Sequence, residues 1–264
     1  MNSFARITAL SCIVALMAHV HSYAGIAPPL HALSPPCLPA GATEIRIGGG
    51  YSLNEWNAFE SVGTGRELFR IPDLTATFGV SDNVELMFNY AWLLLREDGE
   101  ELKNGTGDIK ITGIYNILRE SDLRPNCALL IATKLPDAHY GNRFGTDQTD
   151  FWIGGVFSKT SGPLTLLADA VLGILDQPGV SLPDQDDVLA YDIGIMYSVG
   201  DVLVVGCGLD GVGLSRFDND RVFVHGGMAI KTDIGTLDLG LGTGLNEAAG
   251  DLRLTAGFTT AINF

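Results

Sequence analysis

Residues 251–264, DLRLTAGFTTAINF, decide the fold. Leu252, Leu254, Ala256, Phe258, Thr260, Ile262 and Phe264 fall on one face of an extended chain. Arg253, Thr255, Gly257, Thr259 and Asn263 fall on the other, where Ala261 is the only apolar residue. Side chains that alternate with a period of two belong to a strand, not a helix. A strand of this length with one wholly apolar face is hard to place in a small soluble sheet. It suits a wall that meets lipid on the outside and a polar lumen on the inside.

Working outward from that strand, the same alternation recurs at residues 45–53, 74–80, 84–92, 109–117, 151–157, 164–172, 189–197, 203–209, 222–230 and 237–241. Residues 127–135 are strand-like but apolar on both faces, so their register is open. With the last strand this makes twelve, an even number. The connections after the even-numbered strands are short, as at Ser81-Asp82-Asn83 and Gly200-Asp201, and those after the odd-numbered strands are mostly long and charged. Residues 96–107 and 136–149 read as two such loops. A soluble sandwich has no reason to alternate in this way, whereas an outer-membrane barrel has short periplasmic turns and long outer loops. Tyr51, Trp92, Phe151 and Tyr191 lie outward at the loop side, and Phe78, Tyr115, Phe157, Tyr197 and Phe264 at the turn side. Two such bands have the form of interfacial aromatic girdles. The expected fold is all-β: a membrane-spanning, antiparallel, up-and-down barrel of about twelve strands, its final strand pairing with the first.

Composition agrees. Apolar residues make up 46% of the chain, yet after residue 24 they form no helix-length run. Glycine is 33 of 264 residues, above the usual share of roughly 7%. Residues 7–20 are mainly apolar, Arg6 precedes them, and Ser22-Tyr23-Ala24 offers a cleavage point, so residues 1–24 read as a signal peptide. Residues 25–41 are a proline-rich periplasmic leader, part of which could enter the lumen, and residues 42–264 are the barrel. The formal charge of −15 disfavours nucleic acid as a partner. Loss of Arg6 with the signal peptide makes it one unit more negative. Cys37, Cys127 and Cys207 remain after cleavage, an odd number that defines no disulfide framework.

Two resemblances add to this reading. Residues 251–264 resemble the C-terminal strand of bacterial outer-membrane barrels, which typically ends in Phe. In that group this strand is read by the barrel-assembly machinery, so Phe258, Ile262 and Phe264 are the expected assembly signal. Gly105-Thr106-Gly107-Asp108-Ile109-Lys110, Lys134-Leu135-Pro136 and Phe144-Gly145-Thr146-Asp147 resemble motifs of the family called MetA-pathway of phenol degradation. The resemblance implies an outer-membrane barrel that passes small, often aromatic or hydrophobic, compounds. It assigns no binding residue.

The motifs that carry chemistry elsewhere have plainer readings here. Gly206, Gly208 and Gly211 match a dinucleotide fingerprint by letter, but a loop and a strand follow where a helix is required. His31, His139 and His225 have no metal-ligand spacing, and Asp184, Asp186, Asp187, Asp218 and Asp220 read as solvated acidic loops. No catalytic residue, cofactor or metal site is assigned. The candidate site is the lumen. By alternation its charged residues are Arg46, Asp73, Glu85, Lys110, Asp169, Asp192, Asp238 and Arg253, with His225. Ionisable groups inside a membrane protein are functional candidates that must pair with one another. The function expected is a monomeric outer-membrane channel for passive uptake of small hydrophobic or aromatic compounds. The rivals are a structural or adhesive barrel with a closed lumen and an outer-membrane lipid hydrolase.

Deleting Phe264 should lower the amount of heat-modifiable, folded protein in outer-membrane fractions, while whatever barrel still forms keeps its transport behaviour. Normal assembly of the truncated chain would remove Phe264 from the signal.

Overall fold

The computed structural model describes residues 37–54, 65–138, 144–175, 187–213, 220–246 and 249–262. They form thirteen strands: β1 Thr43–Leu53, β2 Glu67–Ser81, β3 Val84–Arg96, β4 Lys103–Thr106, β5 Ile109–Leu118, β6 Asn126–Leu135, β7 Asp150–Ser161, β8 Leu164–Ile174, β9 Val188–Val199, β10 Leu203–Gly213, β11 Arg221–Thr232, β12 Gly235–Gly244 and β13 Leu252–Ile262. Every pairing is antiparallel between neighbours in sequence, except that β5 pairs with β3 past β4 and β13 returns to β1. That seam runs without interruption from Thr43↔Ile262 to Leu53↔Leu252. It closes the sheet, so the twelve-stranded barrel has no free edge.

The thirteenth strand is a divided one. β4 pairs with Trp92–Leu95 of β3, and β5 pairs with Val84–Asn89 of the same strand. Both occupy one position in the wall, split at Gly107-Asp108, and the Gly107 N–H donates to the Ala91 carbonyl at 2.8 Å. The expectation that residues 96–107 are all loop is therefore corrected. Lys103–Thr106 carries no apolar alternation; backbone pairing with the long upper part of β3, with Lys103 bonded to Glu97 and Glu100, holds it extended. The register left open at residues 127–135 is also fixed. Ala128, Leu130, Ala132 and Lys134 point inward, while Ile131 and Leu135 face out.

The outer wall is apolar and uncovered. Ile47, Ile117, Ile153, Leu166 and Leu239 are all exposed, and Ile193 near mid-strand is 62% exposed. In water such a surface would be strongly unfavourable, and a bilayer is its matching solvent. Trp92 and Phe151 stand near the loop end of this wall, and Phe78, Tyr115, Phe157 and Tyr197 near the turn end, all exposed. Phe88 stands between the bands, with its ring edge-on to Phe78 at 5.9 Å. The turn end is knitted across hairpins: Arg119 donates to Asn83, and Glu120 accepts the Thr160 N–H at 2.7 Å. That hydrogen bond, with Lys159 beside it, holds the Glu120 carboxyl below its usual range.

Ile193→Arg places a charge in the lipid-facing band near its middle, where the expected cost is about 2–4 kcal/mol. Urea unfolding in lipid vesicles measures it; a cost near zero would mean that Ile193 does not face lipid.

Candidate functional site

Closure turns every second side chain into a confined interior. Arg46, Asp73, Glu85, Lys110, Asp169, Asp192, His225 and Asp238 are buried there, and Arg253 is half-buried. The structure brings most of them into two clusters. On β1 and β12, Arg46 meets Asp238 with both hydrogen bonds of a fork, Nε to Oδ1 at 2.9 Å and Nη2 to Oδ2 at 2.8 Å. The guanidinium lies across Gly257, where any Cβ would fall on it. On β10, β11 and β13, His225 Nδ1 is 2.6 Å from Asp210 Oδ1, and Arg253 Nη1 donates to Asp210 Oδ2 at 3.1 Å. The Arg253 guanidinium also stacks on Phe223, 3.3 Å from the ring centroid. Asp169, Asp192 and Asp210 are cross-strand partners in one rung. Three carboxylates therefore stand side by side, with Arg253 at the Asp210 end and the His225 ring between Asp210 and Asp192, its Nε2 4.0 Å from Asp192 Oδ2. Glu85 stands apart at the turn end, where it accepts the Leu38 N–H at 3.1 Å.

A third cluster went unassigned in the sequence. Lys134 Nζ lies 2.8 Å from Asp150 Oδ2, 3.4 Å from Asp108 Oδ2 and 2.9 Å from Thr146 Oγ1, and all four side chains are buried. Asp108 also accepts the Asp137 and Ala138 N–H groups. Each of the three short motifs quoted above contributes here: Asp108 from the first, Lys134 from the second, Thr146 from the third. Phe144, from the third motif, packs with Ala138 against Leu68, Leu93 and Leu95. The signal was thus present as motif letters, but the two-faced apolarity of residues 127–135 concealed that Lys134 points inward. Asp210 escaped because the alternation was read only to residue 209, whereas β10 continues to Gly213. Arg66, Arg70, Glu97 and Arg221 are buried at or beyond strand ends and escaped for the same reason.

Between the ionic clusters runs an apolar strip. Ile114, Leu130, Gly154, Val171, Ala190 and Val212 are successive cross-strand partners from β5 to β10, all facing inward. Trp152 sits one rung away with no exposure, its indole lying over Gly173, where any side chain would collide with it. Cys37 reaches this strip from the leader. Its neighbours enter the turn-end mouth, where Gly41 N–H donates to the Gly79 carbonyl at 2.7 Å and Gly79 N–H to the Ala42 carbonyl at 2.9 Å.

Other expected features fall elsewhere. Gly206, Gly208 and Gly211 lie on β10 between antiparallel neighbours, as a barrel strand requires. Phe258 and Ile262 are on the outward-facing series of β13. Phe264, His31, His139, Asp184, Asp186, Asp218, the signal peptide and most of the leader lie outside the described residues.

No protein-family model and no curated relative matches the sequence. Solved structures do match in fold. The chain is similar to the COG4313 outer membrane channel from Pseudomonas putida F1, with a TM-score of 0.64 and 16% identity over 86% of this chain and 97% of that one. It is similar to the NanC porin, with a TM-score of 0.56 and 10% identity over 82% and 98%. It is also similar to a mutant of the TodX monoaromatic hydrocarbon channel, with a TM-score of 0.50 and 9% identity over 97% and 98%. The fold is that of an outer-membrane β-barrel.

Asp238→Ala should cost about 3–5 kcal/mol, because it strands the Arg46 guanidinium without its fork partner. Replacing both, Arg46→Met with Asp238→Leu, should recover most of that loss. Denaturant unfolding in vesicles compares them, and equal losses would show that the pair does not act as a unit.

Proposed function

We propose that this chain is a monomeric outer-membrane channel for passive passage of small, hydrophobic or aromatic solutes. It would belong with the MetA-pathway of phenol degradation group that its motifs resemble. The observation that carries the reading is the inward apolar strip from Ile114 to Val212, with Trp152 beside it. A purely aqueous pore gains nothing from such a wall, whereas a solute with an apolar body is wetted by it and guided along it. The similarity in fold to an outer-membrane channel and to a hydrocarbon channel agrees with this reading. The short-turn end, where Cys37–Gly41 sits, would face the periplasm and the long loops the outside. The assembly machinery would read Phe258, Ile262 and Phe264. No group of the lumen is assigned a catalytic role.

A second reading has its own support. Several inward charges, Arg46–Asp238 and Lys134–Asp150 among them, are paired and buried, and Cys37–Gly41 lies at the turn-end mouth. A structural barrel with a closed lumen would look the same in these respects.

Planar-bilayer conductance, together with uptake of aromatic compounds by a strain lacking the protein, separates the two. Conductance with an uptake defect supports the channel, and absence of both supports the closed barrel. In the channel, Asp169→Asn and Asp192→Asn should each lower the permeability ratio of cations over anions by a few-fold, since both carboxylates line the path. Unchanged reversal potentials would remove them from it.

A further inference from the structure

His225 lies between two carboxylates that come from different strands. Its Nδ1 is 2.6 Å from Asp210 Oδ1 on β10, and its Nε2 is 4.0 Å from Asp192 Oδ2 on β9. A residue on β11 reaches β9 only by lying across the strand between them. Gly208, the cross-strand partner of His225 on β10, allows this, because a Cβ there would stand 2.5 Å from the His225 Nε2. The glycine that matches a nucleotide fingerprint by letter is thus the seat of an imidazole. Arg253 Nη1 donates to Asp210 Oδ2 at 3.1 Å, and Asp169 on β8 is the cross-strand partner of Asp192. The ring is therefore set in a row of five: Asp169, Asp192, His225, Asp210 and Arg253. The other inward charges on the elements around it are Asp238 of β12, forked to Arg46 of β1, and Arg221 at the loop end of β11 itself.

A single proton changes this row in two ways. Asp210 already accepts from Arg253, and a carboxylate only accepts, so the hydrogen shared with His225 sits on Nδ1. In the neutral ring Nε2 then carries a lone pair. It faces the Asp192 oxygen, acceptor against acceptor, beyond hydrogen-bond reach. A proton taken from water at Nε2 turns this contact into donor against acceptor. Nothing leaves the ring, which becomes a cation between two carboxylates. The same proton alters the charge of the row. Formally, three carboxylates against one guanidinium leave it two units negative, and a charged ring halves that. Histidine is the side chain whose charge ordinarily changes between about pH 5 and pH 8.

We propose that His225 is a proton-operated switch in the lumen. Protonated at Nε2, it bridges Asp210 and Asp192 and weakens the preference of the lumen for cations; neutral, it releases Asp192 and restores that preference. The effect on permeation rests on the lumen being a solute path, whereas the bridge does not. A neutral apolar solute gives the charge of the row nothing to act on, so its passage is indifferent to the switch.

The test joins two measurements. The bridge is read by nitrogen-15 NMR of the histidine rings in the folded barrel in detergent micelles. The His225 signals are those lost in His225→Gln. Where that variant does not fold, they are those that remain when His19, His21, His31 and His139 are replaced. The alkaline ring is expected to carry its hydrogen on Nδ1 and the acidic ring to carry one on each nitrogen. A hydrogen on Nε2 in the alkaline ring, or a ring unchanged between about pH 8 and pH 5, overturns the switch. Selectivity is read by reversal potentials under a potassium chloride gradient in planar bilayers. The ratio of cation to anion permeability should fall a few-fold over the same pH interval in wild type, and by much less in His225→Gln. An equal fall in both assigns the response to other groups and overturns the switch. Toluene flux into vesicles should be the same at both pH values, and a flux that follows the ion ratio overturns the restriction to charged solutes. A ring that changes charge as expected, in a barrel that conducts no ions and passes no toluene, refutes the solute path and leaves the bridge standing.

Discussion

A backbone in lipid has no water to bond to, and that constraint organises this molecule. Every N–H and C=O in the wall needs a strand beside it, so the sheet has to close. Closure falls on the seam between β1 and β13, which pairs residue for residue from Thr43 to Leu53. The last strand is therefore half of the joint that gives all the others two neighbours. The same constraint explains how the wall survives its one division. At Gly107-Asp108 the ladder between β3 and its partner breaks, yet the Gly107 N–H still reaches the Ala91 carbonyl. The Asp108 carboxylate meanwhile takes two backbone N–H groups of the loop that folds over it.

Closure sets the terms for the interior. Charges that would be solvated on an open sheet are forced together, and each one lacking a partner would cost several kcal/mol. The response is local pairing. Arg46 has a two-point fork to Asp238, Asp210 is shared by His225 and Arg253, and Lys134 sits between Asp108 and Asp150. Glycines make room for the larger groups: Arg46 lies over Gly257 and Trp152 over Gly173. The glycine-rich composition thus has a packing cause as well as a turn-forming one, because these inward glycines are seats for guanidinium and indole.

How much of this was legible in the sequence follows from what a period of two can report. It tells inside from outside wherever one face is apolar and the other is not. That was enough for the barrel, the seam, the aromatic bands, and the burial of Arg46, Asp169, Asp192, His225 and Asp238. It fails where both faces are apolar, and there Lys134 was concealed. It fails at strand ends, where Asp210, Arg66 and Arg221 extend the interior set beyond the residues that alternate. It is silent on pairing, because partners such as Arg46 and Asp238 are joined only once β12 and β13 have brought the end of the chain back to its beginning. The short motifs reported something different. Asp108, Lys134 and Thr146 come from separate motifs and different stretches of chain, and they meet at one ammonium.

Magnitudes decide what such an interior can do with a solute. An aromatic ring fully buried against an apolar wall would gain several kcal/mol, and a conduit that bound its solute so tightly would hold it. The apolar strip crosses six strands and is widened by Ala128 and Val156 on one side and by Ala132 and Trp152 on the other, but it remains a wall, so a ring can lay only one face on it. A contact of about 100 Å² is worth about 2.5 kcal/mol, enough to enrich an apolar solute in the lumen and little enough to let it leave. In the proposed channel, the ion pairs next to the strip would matter to this balance by bracing the wall on which it lies. A loosened Lys134–Asp150 or Arg253–Asp210 pair would admit water beside the strip or let side chains close over it, and either change would remove the shallow contact. In the proposed channel, the charged residues of the lumen would thus act on an apolar solute chiefly by holding the wall that it touches.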